Sequence, residues 1–458
     1  MNISRQHFII IGPILAFAFY ALLEYLGIHG QPAIAAGIAV LTVVWWVTEP
    51  IPIPATSLVP FALLPLFGIV DHKTVASSLG SHVILLLMGA FMLSKALEKS
   101  GAHERMAVYM IRIIGVSSGR RLVLGFMLTS AFLSMWISNT ATTLIMLPIA
   151  LAILSHVDNR NLKVALILGI AYAASTGGIG TPIGTPPNVI FMGIYEEQTG
   201  NEFSFLDWMK VGVPVVLLAI PIMALWLTRN VKLTEQIKLP ELQQWRKEEV
   251  RTLVIFALTA LAWITRSEPF GGWSDLLGVT IAGDSTVALA AVVIMFLYPN
   301  GKGGRILDWE TAKGIPWGML LLFAGGIALA KGFVASGLSG MLGDWLSSLA
   351  NLPLILMVLT ICLVVTYLTE ITSNTATATL LMPILAAAGI SAGLDPSVLM
   401  IPAAMAASCA YMLPVATAPN AIAYGTGELE IRDMVKEGAI LSFLVSCIVG
   451  LVCYWLLI

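Results

Sequence analysis

The chain has 458 residues, of which 58% are hydrophobic and only 11% are charged, and its net charge is −2. Soluble domains carry about 25% charged residues, because such residues cover the surface that faces water. The composition therefore excludes an ordinary cytosolic enzyme, a secreted disulfide-rich domain and a nucleic-acid-binding protein. It predicts an all-α protein that crosses the membrane many times.

About eleven apolar stretches are predicted to cross the membrane as helices. They cover roughly residues 8–27, 33–48, 54–70, 82–98, 163–194, 208–228, 251–265, 286–299, 316–336, 398–426 and 434–457. The first stretch is preceded by one basic residue and is not followed by a small-residue cleavage site. It is therefore expected to stay in the protein as a helix rather than to be removed as a signal peptide.

Two further stretches, 122–156 and 355–391, each have two apolar arms around a polar centre. The arms of the first stretch, 122–137 and 141–156, reach only roughly 24 Å as helices, which is short of the ~30 Å hydrocarbon core. Each stretch is therefore predicted to form a re-entrant hairpin that enters and leaves on one face of the membrane.

The distribution of basic residues predicts the topology. If the N-terminus is cytoplasmic and neither hairpin crosses, most of the 24 lysines and arginines fall in cytoplasmic segments. The C-terminus is then extracytoplasmic. The first hairpin opens to the cytoplasm, where Arg120, Arg121 and Arg160 flank it, and the second hairpin opens outward.

The chain also contains an internal repeat at an offset near 235 residues. The SNTAT motif at 138–142 recurs at 373–377, and TPPN at 185–188 is matched by TAPN at 417–420. Because the two hairpins are predicted to open to opposite faces, the repeats are inverted. The predicted organisation is an N-terminal helix at 1–31, a first repeat at 32–228, a cytoplasmic linker at 229–250 and a second repeat at 251–458.

Inverted repeats with paired broken helices are typical of secondary transporters. A single SNT motif would more often be a packing feature, because small polar residues are common where membrane helices touch. Two copies at hairpin tips, each followed by a Pro-Asn break, favour a binding site instead.

The predicted tips suit an anion, and the breaks suit a cation. Ser138 and Ser373 lie in N-cap positions, where the free N–H groups of the second arm carry partial positive charge. Two such tips suit a substrate with two carboxylates. The breaks leave backbone carbonyls free, and with nearby Ser, Thr and Asn oxygens they could coordinate Na⁺.

With its paired SNT motifs, its TEPIPIP segment at 48–54 and its two Pro-Asn breaks, the chain resembles the divalent anion/sodium symporter family. This family carries succinate-like dicarboxylates and citrate, and the resemblance covers nearly the whole chain. It implies a homodimer in the inner membrane, in which a scaffold domain holds a moving transport domain and gives elevator-type alternating access.

The resemblance also implies the residues of the site. The substrate-binding residues would be Ser138, Asn139, Thr140, Ser373, Asn374, Thr375, Thr417 and Ala418. Two sodium sites would use the first set Ser134, Ser138, Asn139 and Gly184, and the second set Thr369, Thr372, Asn374 and Ala416.

The chain departs from the family pattern at Ala418, where related sodium-coupled carriers commonly have proline. Alanine restores an N–H group and loosens the turn, so this position bears on substrate preference. Glu370 is a second special case, because a charged residue within a membrane segment is a candidate for function. Its repeat counterpart is Met135, so we expect it either to brace the hairpin or to act on substrate charge.

The leading prediction is a transporter that imports C4-dicarboxylates (succinate, fumarate or malate) by symport with Na⁺. The alternative is a sodium-independent dicarboxylate or citrate exchanger with the same fold. In exchanger relatives the cation sites typically hold basic side chains, whereas Ser134, Gly184, Thr369 and Ala416 are neutral, which favours sodium. An intramembrane enzyme would need a catalytic set, such as two aspartates or a histidine cluster, and the sequence contains none in its spans.

Overall fold

A computed structural model of the chain describes residues 5–115, 118–155, 157, 159–231, 244–268, 271–347 and 353–458. Within these ranges the chain is helical, with turns and one isolated antiparallel bridge between Pro299 and Arg305. Side chains are described except at 343–347. The linker predicted at 229–250 falls largely on residues 232–243, which lie outside the described residues.

The α-helices are numbered in chain order. They are α1 (Phe8–Tyr25), α2 (Gln31–Thr48), α3 (Ile53–Thr56), α4 (Val59–Leu66), α5 (His72–Ser77), α6 (His82–Ser100), α7 (Ala102–Ile114), α8 (Gly119–Ser134), α9 (Asn139–Leu154), α10 (Arg160–Gly177), α11 (Pro186–Thr199), α12 (Phe205–Leu227), α13 (Lys247–Ile264), α14 (Gly272–Leu276), α15 (Asp284–Leu297), α16 (Trp309–Ala312), α17 (Trp317–Ser336), α18 (Leu338–Ser347), α19 (Leu354–Thr369), α20 (Asn374–Ser391), α21 (Ser397–Ala407), α22 (Ala418–Gly425) and α23 (Ile431–Leu457).

Eight helical segments in the described part of the chain are long and apolar enough to cross a membrane. They are Arg5–Tyr25, Gln31–Thr48, His72–Ser100, Arg160–Gly180, Phe205–Leu227, Trp317–Ser336, Asn374–Ser391 and Ile431–Leu457. Shorter apolar helices accompany them, so the predicted all-α polytopic fold is confirmed. The predicted span 54–70 is divided into α3 and α4, and its chain turns at Gly68, whose φ is +69°.

The two predicted hairpins are present as pairs of helices with a short polar tip between them. Helices α8 and α9 form the first hairpin, and α19 and α20 form the second. The predicted caps are confirmed: Ser138 Oγ accepts the Ala141 N–H at 3.1 Å, and Ser373 Oγ accepts the Ala376 N–H at 3.5 Å. Serine side chains therefore begin the second arm of each hairpin, because they partner an N–H that the helix leaves free.

Polar contacts between distant helices fall into two groups, which mark two faces of the molecule. The first face contains the pairs Lys99–Asp308, Arg105–Glu249, Arg160–Glu430, Arg229–Glu437 and Lys302–Glu248. The second face contains the pairs His82–Glu196, Tyr195–Asp395, Lys210–Glu268, Arg266–Glu202 and Lys331–Glu197.

These faces show that the hairpins enter from opposite sides. Arg105 precedes the first hairpin and Arg160 follows it. Both residues belong to the first face. The second hairpin follows Lys331 and precedes Asp395, which belong to the second face. This arrangement is the one expected of inverted repeats.

The core lies around α10, which is buried along almost its whole length between α8, α9 and α12. The spans predicted at 163–194 and 398–426 are each interrupted. The first consists of α10, a break and α11, and the second consists of α21, a break and α22. Each break is followed by a Pro-Asn motif in the first turn of the next helix, and the irregular backbone of the breaks lies inside the protein, where lipid cannot reach it.

Cysteine labelling tests which face is cytoplasmic. Because the first face holds most of the basic pairs, E310C on that face is expected to react with a membrane-impermeant maleimide only from the cytoplasm. K73C is expected to react only from outside, because α5 contacts Lys331 of the second face through Ser77 at 2.7 Å. The native cysteines are buried or half-buried, so the unmodified protein is the control. Reaction of both variants from one side would contradict the topology.

Candidate functional site

The two hairpin tips and the two breaks surround one cavity of about 580 Å³. All eight residues predicted to bind substrate line it, namely Ser138, Asn139, Thr140, Ser373, Asn374, Thr375, Thr417 and Ala418. Of the predicted sodium ligands, Gly184 and Ala416 also line the cavity. The structure therefore brings together residues that lie more than 200 positions apart in the sequence.

Four helix N-termini meet at this cavity. Helices α9, α11, α20 and α22 begin there, with Asn139, Pro186, Asn374 and Ala418 as their first residues. Free N–H groups at helix N-termini carry partial positive charge, so this end of the cavity favours carboxylates without a buried basic side chain. Ala418, unlike Pro186 at the matching position, supplies an additional N–H group.

The first predicted sodium site is a cluster of oxygens behind the first tip. Ser134 is fully buried, and its hydroxyl is hydrogen-bonded to the Asn139 amide at 2.6 Å. The amide atom that faces Ser134 also lies 3.2 Å from the carbonyl oxygens of Ala174 and Gly184. As an oxygen this atom completes a set of ligands for a hard cation, and as a nitrogen it donates to the same carbonyls.

Close packing at Gly184 explains the glycine in the first break. A Cβ at this position would lie 2.4 Å from the Gly178 carbonyl oxygen and 2.9 Å from that of Ser134. The break therefore approaches the first tip more closely than any side chain would allow. The equivalent position in the second repeat holds Ala416, so the two predicted cation sites differ in their packing.

The second tip repeats the hydroxyl–amide pair. Thr369 donates to Asn374 Oδ1 at 2.5 Å and lies 3.1 Å from the Ala407 carbonyl oxygen. Thr372, the fourth member of the predicted set, contacts Leu368 and Thr377 through its hydroxyl instead. The structure therefore joins Thr369 and Asn374 but directs the Thr372 side chain elsewhere.

Glu370 connects the second tip to the second break. Its buried carboxylate accepts backbone N–H groups from Tyr411 at 2.6 Å, Met412 at 3.0 Å and Leu413 at 3.2 Å. It also accepts the Ser442 hydroxyl at 3.1 Å. Of the two roles expected from the sequence, these contacts support bracing, because four donors already occupy the carboxylate.

The first repeat holds its break without a charge. Met135, at the position that matches Glu370, packs against Gly180, where a Cβ would lie 2.6 Å from the methionine Cε. The Thr181 hydroxyl donates to the Met135 carbonyl oxygen at 2.5 Å. In the first repeat, a hydroxyl and close packing thus hold the break against the hairpin tip, whereas in the second repeat a carboxylate holds it.

Several lining residues were not identified from the sequence. Lys95 and Glu98 of α6 line the cavity and form an ion pair of 2.6 Å, which extends the cavity toward the first face. Apolar walls come from Phe91, Trp136, Met319 and Phe323. Such apolar residues are common in any membrane helix, so the sequence does not single them out. Only the packing of α6 and α17 beside the first tip, which contains Trp136, shows that they line the cavity.

Comparisons with known proteins agree with this architecture. The sequence pattern of the citrate transporter (CitMHS) family matches residues 43–396, which is more than half of the chain. The chain is 40% identical to the sodium-dependent dicarboxylate transporter SdcS of Staphylococcus saprophyticus, over 99% of this chain and 92% of that protein. It is 41% identical to SdcS of Staphylococcus aureus strain MRSA252, over 98% of this chain and 90% of the relative.

A solved structure shows the same fold at low sequence identity. The YdaH transporter of Alcanivorax borkumensis, which was reported to have an unusual topology, superposes with a TM-score of 0.58 and 14% identity. The match covers 83% of this chain and 87% of that chain. The chain belongs to the citrate transporter family, as the motifs predicted, and it is a membrane transport protein rather than an enzyme.

Replacing Glu370 tests its bracing role. E370Q would turn an amide donor toward backbone N–H groups, so we expect it to destabilise the protein by about 2–4 kcal/mol. The measurement is the melting temperature of the purified protein in detergent. The control is E428Q, whose exposed ion pair with Lys163 is worth less than about 1 kcal/mol. An E370Q variant that melts with the wild type would contradict the brace.

Proposed function

We propose that this protein imports C4-dicarboxylates such as succinate, fumarate and malate by symport with Na⁺. The observation that carries the proposal is the single cavity formed by both SNT tips and both Pro-Asn breaks. The names of its Staphylococcus relatives, sodium-dependent dicarboxylate transporters, support both the substrate class and the ion.

Each carboxylate of the substrate is assigned to one tip. The first carboxylate would accept hydrogen bonds from Ser138, Asn139 and Thr140, and the second from Ser373, Asn374 and Thr375. Thr417 and Ala418 at the start of α22 would complete the second half of the site. Because both halves rely on hydroxyls, amides and helix N-termini, they attract a dianion without trapping it in a strong ion pair.

Sodium would be coupled to substrate through the two tip asparagines. Asn139 lines the cavity and also contacts Ser134 of the first oxygen cluster. When Na⁺ binds there, the amide oxygen turns to the cation and the NH₂ group is left free for a carboxylate. Asn374 would act in the same way beside Thr369 and Ala416. A loaded cation site thus prepares the substrate site, which is a linkage between two ligands.

The assembly and the motion are part of the same proposal. A homodimer in the inner membrane, with the N-terminus cytoplasmic, would hold two independent cavities. Each pair of hairpins would move as one body between the two faces, as in an elevator. The opposite entry of the two hairpins supports this idea, because inverted repeats offer two related arrangements of one fold.

Radiolabelled succinate uptake into proteoliposomes tests the proposal. An inward Na⁺ gradient is expected to drive uptake into empty vesicles, whereas an equal K⁺ gradient is not. Uptake that ignores Na⁺ but requires an internal dicarboxylate would show an exchanger and overturn symport. If citrate but not succinate is carried, the C4 assignment is wrong and the protein is a citrate transporter, as the family description says.

Alanine at the tip asparagines tests the site residues. Loss of a hydrogen bond to a charged group is worth about 1.5–3 kcal/mol, so N139A and N374A should each lower kcat/KM for succinate roughly 10–100-fold. N201A, at an exposed loop position, is the control for the loss of an asparagine side chain. Wild-type uptake by either folded tip variant would remove that tip from the substrate site.

A further inference from the structure

Asn188 and Asn420 end the TPPN and TAPN motifs, and both are fully buried. Each lies in the first turn of the helix that follows its break, α11 or α22. Neither residue lines the cavity, and neither has a role in the transport scheme above. The same residue therefore occupies the same buried position in both repeats, and its contacts show what it does there.

The two side chains make the same contacts. The Asn188 amide nitrogen donates to the carbonyl oxygens of Gly178 at 3.0 Å and Thr181 at 2.8 Å. The Asn420 amide nitrogen donates to those of Ala410 at 3.2 Å and Leu413 at 3.0 Å. In each repeat the acceptors lie ten and seven residues before the asparagine.

These bonds fix the orientation of both amides. Each NH₂ group uses its two donors on two carbonyls, and in the described part of the chain the side-chain oxygens of Asn188 and Asn420 have no hydrogen-bond partner. Turning either amide over would place its oxygen against two carbonyl oxygens, which repel it. Both amides are therefore oriented by the break rather than by their own helix.

The breaks need such a partner because their carbonyls have lost helical donors. Pro182 and Pro414, four residues after Gly178 and Ala410, have no N–H group to offer those carbonyls. The other two carbonyls, those of Thr181 and Leu413, each accept a turn N–H as well, from Gly184 at 3.4 Å and from Ala416 at 3.2 Å. At membrane depth water does not replace the missing donors, so the protein must supply them. One asparagine supplies two donors to each break and closes it into a loop.

The closed loops contain the predicted cation ligands. Gly184 lies between Thr181 and Asn188, and Ala416 lies between Leu413 and Asn420. We propose that Asn188 and Asn420 are positioning residues for Na⁺, each holding one loop so that the Gly184 or Ala416 carbonyl oxygen points at its cation. This inference rests on the sodium coupling proposed above. It predicts that the two asparagines set the affinity for Na⁺ without touching the ion or the substrate.

The test measures Na⁺ binding without substrate. Purified full-length protein is titrated with NaCl at constant total salt, balanced with KCl, and the melting temperature is followed, because a ligand that binds the folded state stabilises it. Residues that orient metal ligands typically contribute 10–100-fold in affinity, so N188A and N420A should each raise the half-saturating Na⁺ concentration about 10-fold.

The matched control is N161A. Asn161 also donates its amide to a backbone carbonyl, that of Asn230 at 3.3 Å, but it is exposed on the first face. Its Na⁺ midpoint should equal that of the wild type. N188L and N420L, which keep a similar side-chain volume but lose both donors and add no charge, distinguish the donors from the volume: they too should have raised half-saturating Na⁺ concentrations.

Each result decides a separate question. If a folded variant melts at a lower temperature in KCl and yet keeps the wild-type half-saturating Na⁺ concentration, the asparagine it lost has only a structural role, and the inference is overturned. Unchanged or lowered half-saturating Na⁺ concentrations in the leucine variants would overturn it too. If the wild-type protein itself gives no Na⁺-specific shift and no Na⁺-driven uptake, the sodium symport proposal fails instead.

Discussion

Backbone groups that leave a helix inside a membrane must find partners within the protein, and the structure is organised around this constraint. Four interruptions, two hairpin tips and two breaks, lie against one another in the interior. Ser138 and Ser373 partner the first N–H groups of the second arms, and Asn188 and Asn420 partner the carbonyls of the breaks. The polar groups that remain at the cavity are the ones that a ligand can use.

The resulting cavity is polarised without a basic side chain at the tips. Four helix N-termini supply partial positive charge, while the Ser134 hydroxyl, the Asn139 amide and the Gly184 carbonyl form a separate cluster directly behind the first tip. In the proposed transport scheme, the anion site and the cation site share Asn139. This shared residue is a physical route by which the binding of one ion can change the affinity for another.

The repeats are symmetric in fold but not in chemistry. Gly184 permits a close approach to the first tip, whereas the second repeat has Ala416 at this position and Ala418 in place of Pro186. The buried Glu370 carboxylate braces the second break, whereas Met135 and a threonine hydroxyl hold the first. Glu370 follows Thr369 of the second predicted cation set, whereas the matching residue of the first repeat is Met135, so the two predicted sets differ electrostatically.

The sequence alone determined the class of protein, the paired hairpins and the tip residues, because apolar runs, SNT repeats and Pro-Asn motifs each follow from local chemistry. It could not assign Glu370, Lys95, Asn188 or Asn420, whose partners lie on other helices or across a break. Tertiary structure decided these points, because hydrogen-bond direction and the close approach of α8, α10 and the break before α11 depend on packing between segments that are distant in the chain.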